Sequence, residues 1–234
     1  MTKKLIAIDL DGTTLNSQSL ISPRTAEVLN KATAAGHYVS IATGRPFRMS
    51  DHFYQQLKLD TPMVNFNGGL VHKPRQTWEY EREISLSKEI AFEILAQKEA
   101  LNLDFVAAEN RETFYIDTLE QFEGMFFASE NVSEANLLHN LTSNPTSLLI
   151  KTKHEFAANV ASSLQTQFDN EIDVRTWGGP NAILEIVPKG VQKAMAVSVI
   201  ADSLKIKAKV VVAFGDEHID LELLQYAGWG VAMK

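Results

Sequence analysis

The sequence contains no cysteine and no apolar run of membrane-spanning length. Without cysteine, the chain cannot form a disulfide framework or a thiolate metal site. Apolar stretches such as residues 210–214 are far shorter than the roughly 20 residues that a transmembrane helix needs. The segment before Asp9 is too short and too soon interrupted to be a signal peptide. We therefore expect a cytoplasmic protein with no membrane partner.

Positive charge is also scarce, since 22 lysines and arginines stand against 29 acidic residues, which gives a net charge of −7. This balance argues against a nucleic-acid groove or a site for an anionic membrane surface. A phosphorylated small molecule is still compatible with it if lysine, arginine or a metal ion supplies local positive charge. The 45% hydrophobic and 22% charged residues among 234 are typical of a folded chain of one or two domains.

Strand-like and helix-like segments alternate over the first third of the chain. The predicted strands are residues 5–8, 37–42 and 62–66, and the predicted helices are residues 23–35 and 46–57. Ser22 and Pro23 mark the start of the first helix as a capping residue and a first-turn proline. This alternation with short links predicts a parallel sheet with right-handed crossovers.

The pattern changes between residues 83 and 187. The predicted helices there are 87–100, 119–127 and 155–168, and the predicted strands are 103–107, 113–116, 147–152, 172–176 and 182–187. We interpret this region as a second unit with an antiparallel sheet. Five of its phenylalanines are assigned to its core by their spacing. They are Phe105, Phe114, Phe122, Phe126 and Phe127.

The alternation of helices and strands seen in the first third returns after residue 190. A helix to residue 204, a strand at 210–214, a short helix at 218–227 and a last strand at 229–232 are predicted. The fold class is therefore α/β. A Rossmann-like parallel-sheet core is expected from residues 1–82 and 188–234, with an α+β domain at residues 83–187 inserted into it.

Two carboxylates lie where the first strand ends. Asp9 and Asp11 face the same side, because alternate residues of a strand share a face. Gly12 permits a sharp turn, and Thr13 offers a hydroxyl and a backbone N–H. Two adjacent acids are costly unless a cation, a shared proton or a substrate compensates them. The pair indicates a catalytic site, and the alternative is a plain Asp-Gly turn.

The second strand ends in another polar group. Thr43, Gly44 and Arg45 supply a hydroxyl, a flexible backbone and a guanidinium before the helix that Pro46 opens. Ligands of an open parallel sheet gather at the carboxyl ends of its strands, and helix N-termini favour phosphate. An ordinary threonine cap is the alternative interpretation.

The last third carries a lysine and an acidic cluster. Lys193 begins a helix, and it is either a site residue or a surface lysine. Lys189 is the other candidate for a lysine in the active site. Asp216 and Asp220 follow an apolar run, and carboxylates at a strand end suit a hard cation such as Mg²⁺. The alternative is a helix N-terminus enriched in acids.

These four segments together resemble the haloacid dehalogenase superfamily of phosphotransferases, within it the Cof-like sugar-phosphatase branch. The matching segments are residues 9–15 (DLDGTTL), 42–45 (ATGR), 190–193 (GVQK) and 215–220 (GDEHID). They occur in the order of the family's four motifs, and the inserted unit resembles the large cap domain of this branch. The resemblance covers essentially the whole chain.

The resemblance implies a mechanism. Asp9 is the nucleophile that forms an aspartyl-phosphate, and Asp11 is the general acid and base. Mg²⁺ is held by Asp9, by the backbone carbonyl of Asp11 and by Asp216. Thr43 and Lys193 are expected to stabilise the transferring phosphoryl group.

The remaining contacts are also implied by the resemblance. Asp220 is expected to orient Lys193, and the cap to close over the substrate. Residues 177–180 form either a specificity loop or a plain turn. The residues expected to contact phosphate or substrate are Leu10, Gly12, Thr13, Gly44, Arg45, Asn67 and Gly68.

The resemblance implies a Mg²⁺-dependent phosphatase of small phosphorylated metabolites, with sugar phosphates as the expected class. A phosphomutase is one alternative. A phosphate-binding member with impaired catalysis is another, because Ile219 replaces an asparagine usual in the family and the chain stops at Lys234, before a further loop and helix of its relatives. The expected partner is a small phosphate ester, and monomer and homodimer are both left open.

Overall fold

The computed structural model describes residues 2–118, 132–134, 140–176 and 182–233. The strands are β1 (Leu5–Ile8), β2 (Tyr38–Ile41), β3 (Met63–Asn65), β4 (Leu70–His72), β5 (Arg82–Glu83), β6 (Leu103–Glu109), β7 (Phe114–Ile116), β8 (Val132–Glu134), β9 (Ser147–Thr152), β10 (Ile172–Thr176), β11 (Ile183–Pro188), β12 (Val211–Gly215) and β13 (Trp229–Ala232). The helices are α1 (Pro23–Ala34), α2 (Phe47–Gln56), α3 (Lys88–Ala96), α4 (His154–Gln167), α5 (Lys193–Ser203) and α6 (Leu221–Tyr226).

The chain forms two compact units. The first comprises Met1–Glu83 and Gln192–Lys234, and the second comprises Ile84–Val191. The chain returns to the first unit after Val191, whereas the sequence placed that boundary after residue 187. None of the helices in the described ranges is long and apolar enough to cross a membrane.

The first unit contains a parallel sheet in the order β13-β12-β1-β2. Its central strand β1 is flanked on both sides, and Leu5 and Ala7 are fully buried. A continuous apolar run is what a strand covered on both faces needs. The start of α1 is also as predicted, because the Ser22 hydroxyl accepts a hydrogen bond from the backbone N–H of Thr25 at 3.0 Å. The predicted parallel-sheet core is confirmed.

The third predicted strand does not belong to this parallel sheet. Strands β3, β4 and β5 form a separate antiparallel sheet, and the link to the second strand is a single parallel bridge between Ala42 and Val64. The turn after Phe66 reverses the chain, so that β3 pairs with β4. Strands β4 and β5 were not predicted, because runs of three and two residues are too short to show a periodic pattern.

The second unit has a six-stranded sheet in the order β10-β11-β9-β6-β7-β8. All its pairs are antiparallel except β7 with β8, so the predicted antiparallel sheet is confirmed with one parallel pair. Phe105 and Phe114 are buried as predicted. The predicted helix at 119–127, with its three phenylalanines, and the loop at 177–180 lie outside the described residues.

Candidate active site

The first acidic residue lies at the carboxyl end of β1. Asp9 is 5% exposed, and its backbone N–H donates to the carbonyl of Phe214 at 3.1 Å. The turn that follows closes through a hydrogen bond from the N–H of Leu15 to the carbonyl of Leu10 at 2.8 Å. Leu10 itself, backbone included, is fully buried, so the predicted phosphate contact of this residue stays a prediction.

The turn places Gly12 against the last acidic segment. Gly12 has a φ of +68°, and a Cβ there would lie 2.0 Å from Oδ2 of Asp216. The positive φ favours glycine, and any larger side chain would also displace the Asp216 carboxylate. The hydroxyl of Thr13 donates to Oδ1 of Asp216 at 2.7 Å. The predicted first and fourth motifs are therefore in direct contact.

A buried ammonium lies between two carboxylates. Nζ of Lys193 is 2.6 Å from Oδ1 of Asp9 and 2.6 Å from Oδ1 of Asp220, and Lys193 is 1% exposed. The interpretation of Lys193 as a surface lysine is therefore wrong. Its rival Lys189 lies in the second unit, where it pairs with Asp173 at 3.1 Å.

Asp220 uses both of its carboxylate oxygens within the protein. Oδ1 accepts from Lys193, and Oδ2 accepts from the backbone N–H groups of Asp216 and Glu217 at 3.2 and 3.3 Å. These bonds fix the turn after β12 and the ammonium at the same time. Asp220 is thus in direct contact with Lys193, and its role in orienting that lysine stays a prediction.

The cluster holds more negative than positive charge. Burial raises the pKa of Asp9 to about 7, with Lys193 opposing the rise and Asp220 adding to it. Burial also acts to lower the pKa of Lys193, but the two carboxylates outweigh it and the pKa is raised. One ammonium between two buried carboxylates leaves a net negative charge, which favours a further cation or a proton at this position.

Three carboxylates are close enough to be considered as metal ligands. Oxygens of Asp9, Asp216 and Asp220 lie within 4.8 Å of one another. Since both Asp220 oxygens are engaged, Asp9 and Asp216 are the pair that can offer oxygen to a cation. Such hard oxygen donors beside uncompensated negative charge fit Mg²⁺.

The side chain of Asp11 is directed at Arg45. Nε of Arg45 donates to Oδ2 of Asp11 at 2.8 Å, and a terminal nitrogen donates to Oδ1 at 2.6 Å. The Arg45 side chain is 12% exposed and that of Asp11 is 57% exposed. This bidentate pair holds the predicted acid and base in a defined position. Sequence reasoning assigned Arg45 to phosphate or substrate and missed this contact.

The second motif packs against the turn after β3. The hydroxyl of Thr43 accepts from the N–H of Arg45 at 3.1 Å, and the N–H of Asn67 donates to the Thr43 carbonyl at 3.1 Å. A Cβ on Gly44 would lie 2.9 Å from Nδ2 of Asn67. Gly68, at φ +113°, likewise leaves room for the carbonyl of residue 192. The structure thus brings the second motif against Asn67, and Gly68 lies against the start of α5.

Ile219 lies in the short turn of His218–Asp220. It is partly buried and is the neighbour of Asp220. Its side chain adds no hydrogen-bonding group to the carboxylate cluster.

Comparison with known proteins identifies the family to which the chain belongs. Residues 6–234 match the family described as haloacid dehalogenase-like hydrolase. The 5-amino-6-(5-phospho-D-ribitylamino)uracil phosphatase YitU of Bacillus subtilis (strain 168) is 37% identical over 231 residues, which cover 98% of this chain and 86% of that protein. The pyridoxal phosphate phosphatase YbhA of Escherichia coli (strain K12) is 26% identical over 250 residues, with 100% and 88% covered.

A solved structure extends the comparison to the fold. The crystal structure of a haloacid dehalogenase-like hydrolase from Bacteroides thetaiotaomicron superposes with a TM-score of 0.87 at 25% identity, covering 99% of this chain and 88% of that one. The family match spans nearly the whole sequence, and the named relatives are phosphatases. This chain therefore belongs to the haloacid dehalogenase-like hydrolases, as a phosphatase of that family.

Proposed function

We propose that the protein is a Mg²⁺-dependent phosphatase that hydrolyses small phosphate monoesters through an aspartyl-phosphate on Asp9. The observation that carries this proposal is the placement of Asp9 2.6 Å from a buried ammonium and within 4.8 Å of Asp216. A carboxylate held in one orientation, beside a second carboxylate that can share a cation, is suited to attack phosphorus.

In the proposed reaction Asp9 attacks phosphorus and Asp11 transfers the protons. A carboxylate oxygen of Asp9 forms a bond to phosphorus as the bond to the leaving oxygen breaks, and Asp11 gives that oxygen a proton. Water then attacks phosphorus and gives its proton to Asp11, which releases orthophosphate and restores the Asp9 carboxylate. Asp11 needs one carboxyl oxygen for this exchange, and the contact of Arg45 with the other oxygen keeps the group in position.

Lys193 and Thr43 are proposed to support the phosphoryl group. The Lys193 ammonium is fixed by Asp220, so it provides positive charge without reorganising. Mg²⁺, when held by Asp9, the Asp11 carbonyl and Asp216, supplies further positive charge that reduces repulsion between carboxylate and phosphate.

The proposed substrate class is a polyhydroxylated metabolite with a terminal phosphate, such as a sugar phosphate. The ribityl compound named for the 37% identical relative belongs to this chemical class. We expect phosphate release from a panel of sugar phosphates, that ribityl phosphate and an aryl phosphate, lost on chelation and restored by Mg²⁺. Recovery of an isomerised sugar phosphate without free phosphate would indicate a phosphomutase instead.

The metal requirement is tested by Asp216→Asn. We expect this change to raise the Mg²⁺ concentration for half-maximal activity by roughly tenfold or more, because a charged oxygen ligand is lost. Glu217→Gln is the matched control, since it removes the same charge one residue away and outside the carboxylate cluster. Titration of activity with Mg²⁺ measures both variants. Equal shifts in both would mean that general surface charge, rather than ligation by Asp216, sets the requirement.

Ile219 favours a second candidate, a phosphate-binding protein with impaired turnover. On this view Ile219→Asn is expected to raise kcat by restoring a polar group beside Asp220, while the KM and the Mg²⁺ dependence change little. Steady-state kinetics of the two proteins decide it, with Ile219→Val as the apolar control. An unchanged kcat in Ile219→Asn would show that this position does not limit catalysis.

A further inference from the structure

A buried polar network lies beside the loop that carries Arg45. Nδ2 of Asn65, the last residue of β3, donates to the backbone carbonyl of Arg45 at 2.8 Å and to Oγ of Ser50 at 2.8 Å. Oδ1 of Asn65 lies 2.9 Å from Nε2 of His72 in β4. Ser50, Asn65 and His72 are all 0% exposed. We call these three residues the Asn65 network.

The hydrogen bonds of the Asn65 network fix its donors and acceptors. Because Nδ2 of Asn65 uses both hydrogens, Oδ1 faces His72, and Nε2 of His72 must carry the hydrogen and donate. The His72 ring is held in turn by Phe47, edge to face at 4.8 Å between centroids and 88° between planes. A buried polar group without a hydrogen bond destabilises the fold. Rotating the Asn65 amide would break these hydrogen bonds, so the amide has one stable orientation.

The network reaches the predicted site through one carbonyl. The Arg45 carbonyl accepts a hydrogen bond from Asn65, and the Arg45 guanidinium donates two hydrogen bonds to Asp11. The same carbonyl accepts from the backbone N–H of Phe66 at the longer distance of 3.4 Å, and Pro46, which follows, has no N–H to donate. The guanidinium also lies over the ring of Phe53, 5.6 Å from its centroid. Fixing the backbone of Arg45 therefore fixes the point from which its side chain extends to Asp11.

We propose that Asn65 and His72 are positioning residues, which set the Arg45 backbone so that its guanidinium meets Asp11 in the bidentate pair. Neither residue touches Asp11 in this arrangement, and both act through Arg45. The effect on turnover rests on the proposed phosphatase function. The effect on the Arg45 side chain does not, because it is a property of the folded protein alone.

The structural test uses the side-chain Nε–H signal of Arg45 in a nitrogen–proton NMR spectrum, identified by its absence in Arg45→Gln. We expect Asn65→Ala to shift or broaden this signal. Ser40→Ala is the matched control, because it removes a buried hydrogen bond of 2.7 Å to the Pro62 carbonyl in the same unit. An Arg45 signal that is unchanged in folded Asn65→Ala would overturn the proposal, whether or not the wild type releases phosphate.

The kinetic test separates positioning from simple loss of stability. We expect kcat/KM to fall roughly tenfold in Asn65→Ala, since misplaced groups lose much of their effect, and to stay within twofold of wild type in Ser40→Ala. In an Arg45→Gln background, Asn65→Ala should cause no further fall, because both changes act on one contact. Fully additive losses in the double variant would contradict the proposal.

His72 provides a second route if Asn65→Ala fails to fold. Glutamine can place an amide N–H toward Oδ1 of Asn65, so His72→Gln should keep the Arg45 signal and kcat/KM near wild type. His72→Leu has no donor and should alter both. Equal behaviour of the two His72 variants would show that the donated hydrogen bond has no positioning role. A wild type with no phosphate release would refute the proposed function, and the Arg45 signal would still decide this inference.

Discussion

Asp9→Asn is expected to reduce phosphate release by at least about a thousandfold, because the amide cannot act as the nucleophile. The same change should leave the metal-free protein at least as stable as the wild type. Burial raises the pKa of Asp9 to about 7, so its ionised form opposes folding. Asparagine keeps the shape and an oxygen that can accept from Lys193, and it removes this charge.

The stability of the metal-free protein therefore depends on pH with a definite sign. Between pH 3.8, the ordinary pKa of this carboxyl, and the raised pKa of about 7, the folded state binds a proton at Asp9 that the unfolded state has lost. The free energy of unfolding then falls as pH rises through this window, by an amount on the order of a few kcal/mol. Asp9→Asn should remove this contribution.

Phosphate release and urea unfolding from pH 4 to 8, each with chelator and with Mg²⁺, test both halves of this prediction. Undiminished release from Asp9→Asn would exclude Asp9 as the nucleophile. An Asp9→Asn variant that is less stable than the wild type at every pH would show that the ionised Asp9 carboxylate does not destabilise the folded state.

Lys193→Met is expected to cause the largest loss of stability. It leaves the carboxylates of Asp9 and Asp220 buried without the ammonium that lies 2.6 Å from each. Breaking a buried ion pair in this way costs about 3–5 kcal/mol. Turnover should be lost as well, since the charge proposed to stabilise the phosphoryl group is gone.

Lys189→Met is the matched control for this variant. Its side chain is 47% exposed and pairs with Asp173, and exposed pairs contribute about 1 kcal/mol or less. Denaturant unfolding measures both variants. Adding Asp9→Asn to Lys193→Met should recover part of the lost stability, because one uncompensated carboxylate is removed. Similar losses in the two lysine variants would contradict the assignment of a buried charge cluster.

The parallel strands were predictable because they are apolar runs followed by polar residues. For example, residues 5–8 were predicted as the first strand, and the observed strand is Leu5–Ile8. The same rule indicated that Asp9, Thr43 and Asp216 belong to one site, since the carboxyl ends of parallel strands share an edge. Lys193 begins a helix, and only the resemblance to the family assigned it to this site. The residues at the strand ends lie close together because of the order of the strands in the sheet. That order can be predicted from the alternation of strands and helices along the sequence.

Side-chain pairing was not predictable in the same way. Arg45 and Asp11 are 34 positions apart, and their bidentate contact depends on the course of the loop, which no periodicity reports. The Asn65 network was overlooked because Asn65 lies within a strand-like run. The signal that could have found it is the asparagine itself, because a polar residue in a buried strand requires a partner.

The order in which the site can assemble follows from the central position of β1. One neighbour, β2, comes soon after it in the chain, but the other, β12, begins only at Val211. The bond between Asp9 and Lys193 spans 184 positions. During synthesis from the N-terminus, the nascent chain therefore carries Asp9 at an unpaired sheet edge while all of the second unit is being made. The proposed catalytic centre is therefore among the last parts of the molecule to form, and a ribosome-bound chain that ends before residue 193 lacks its lysine.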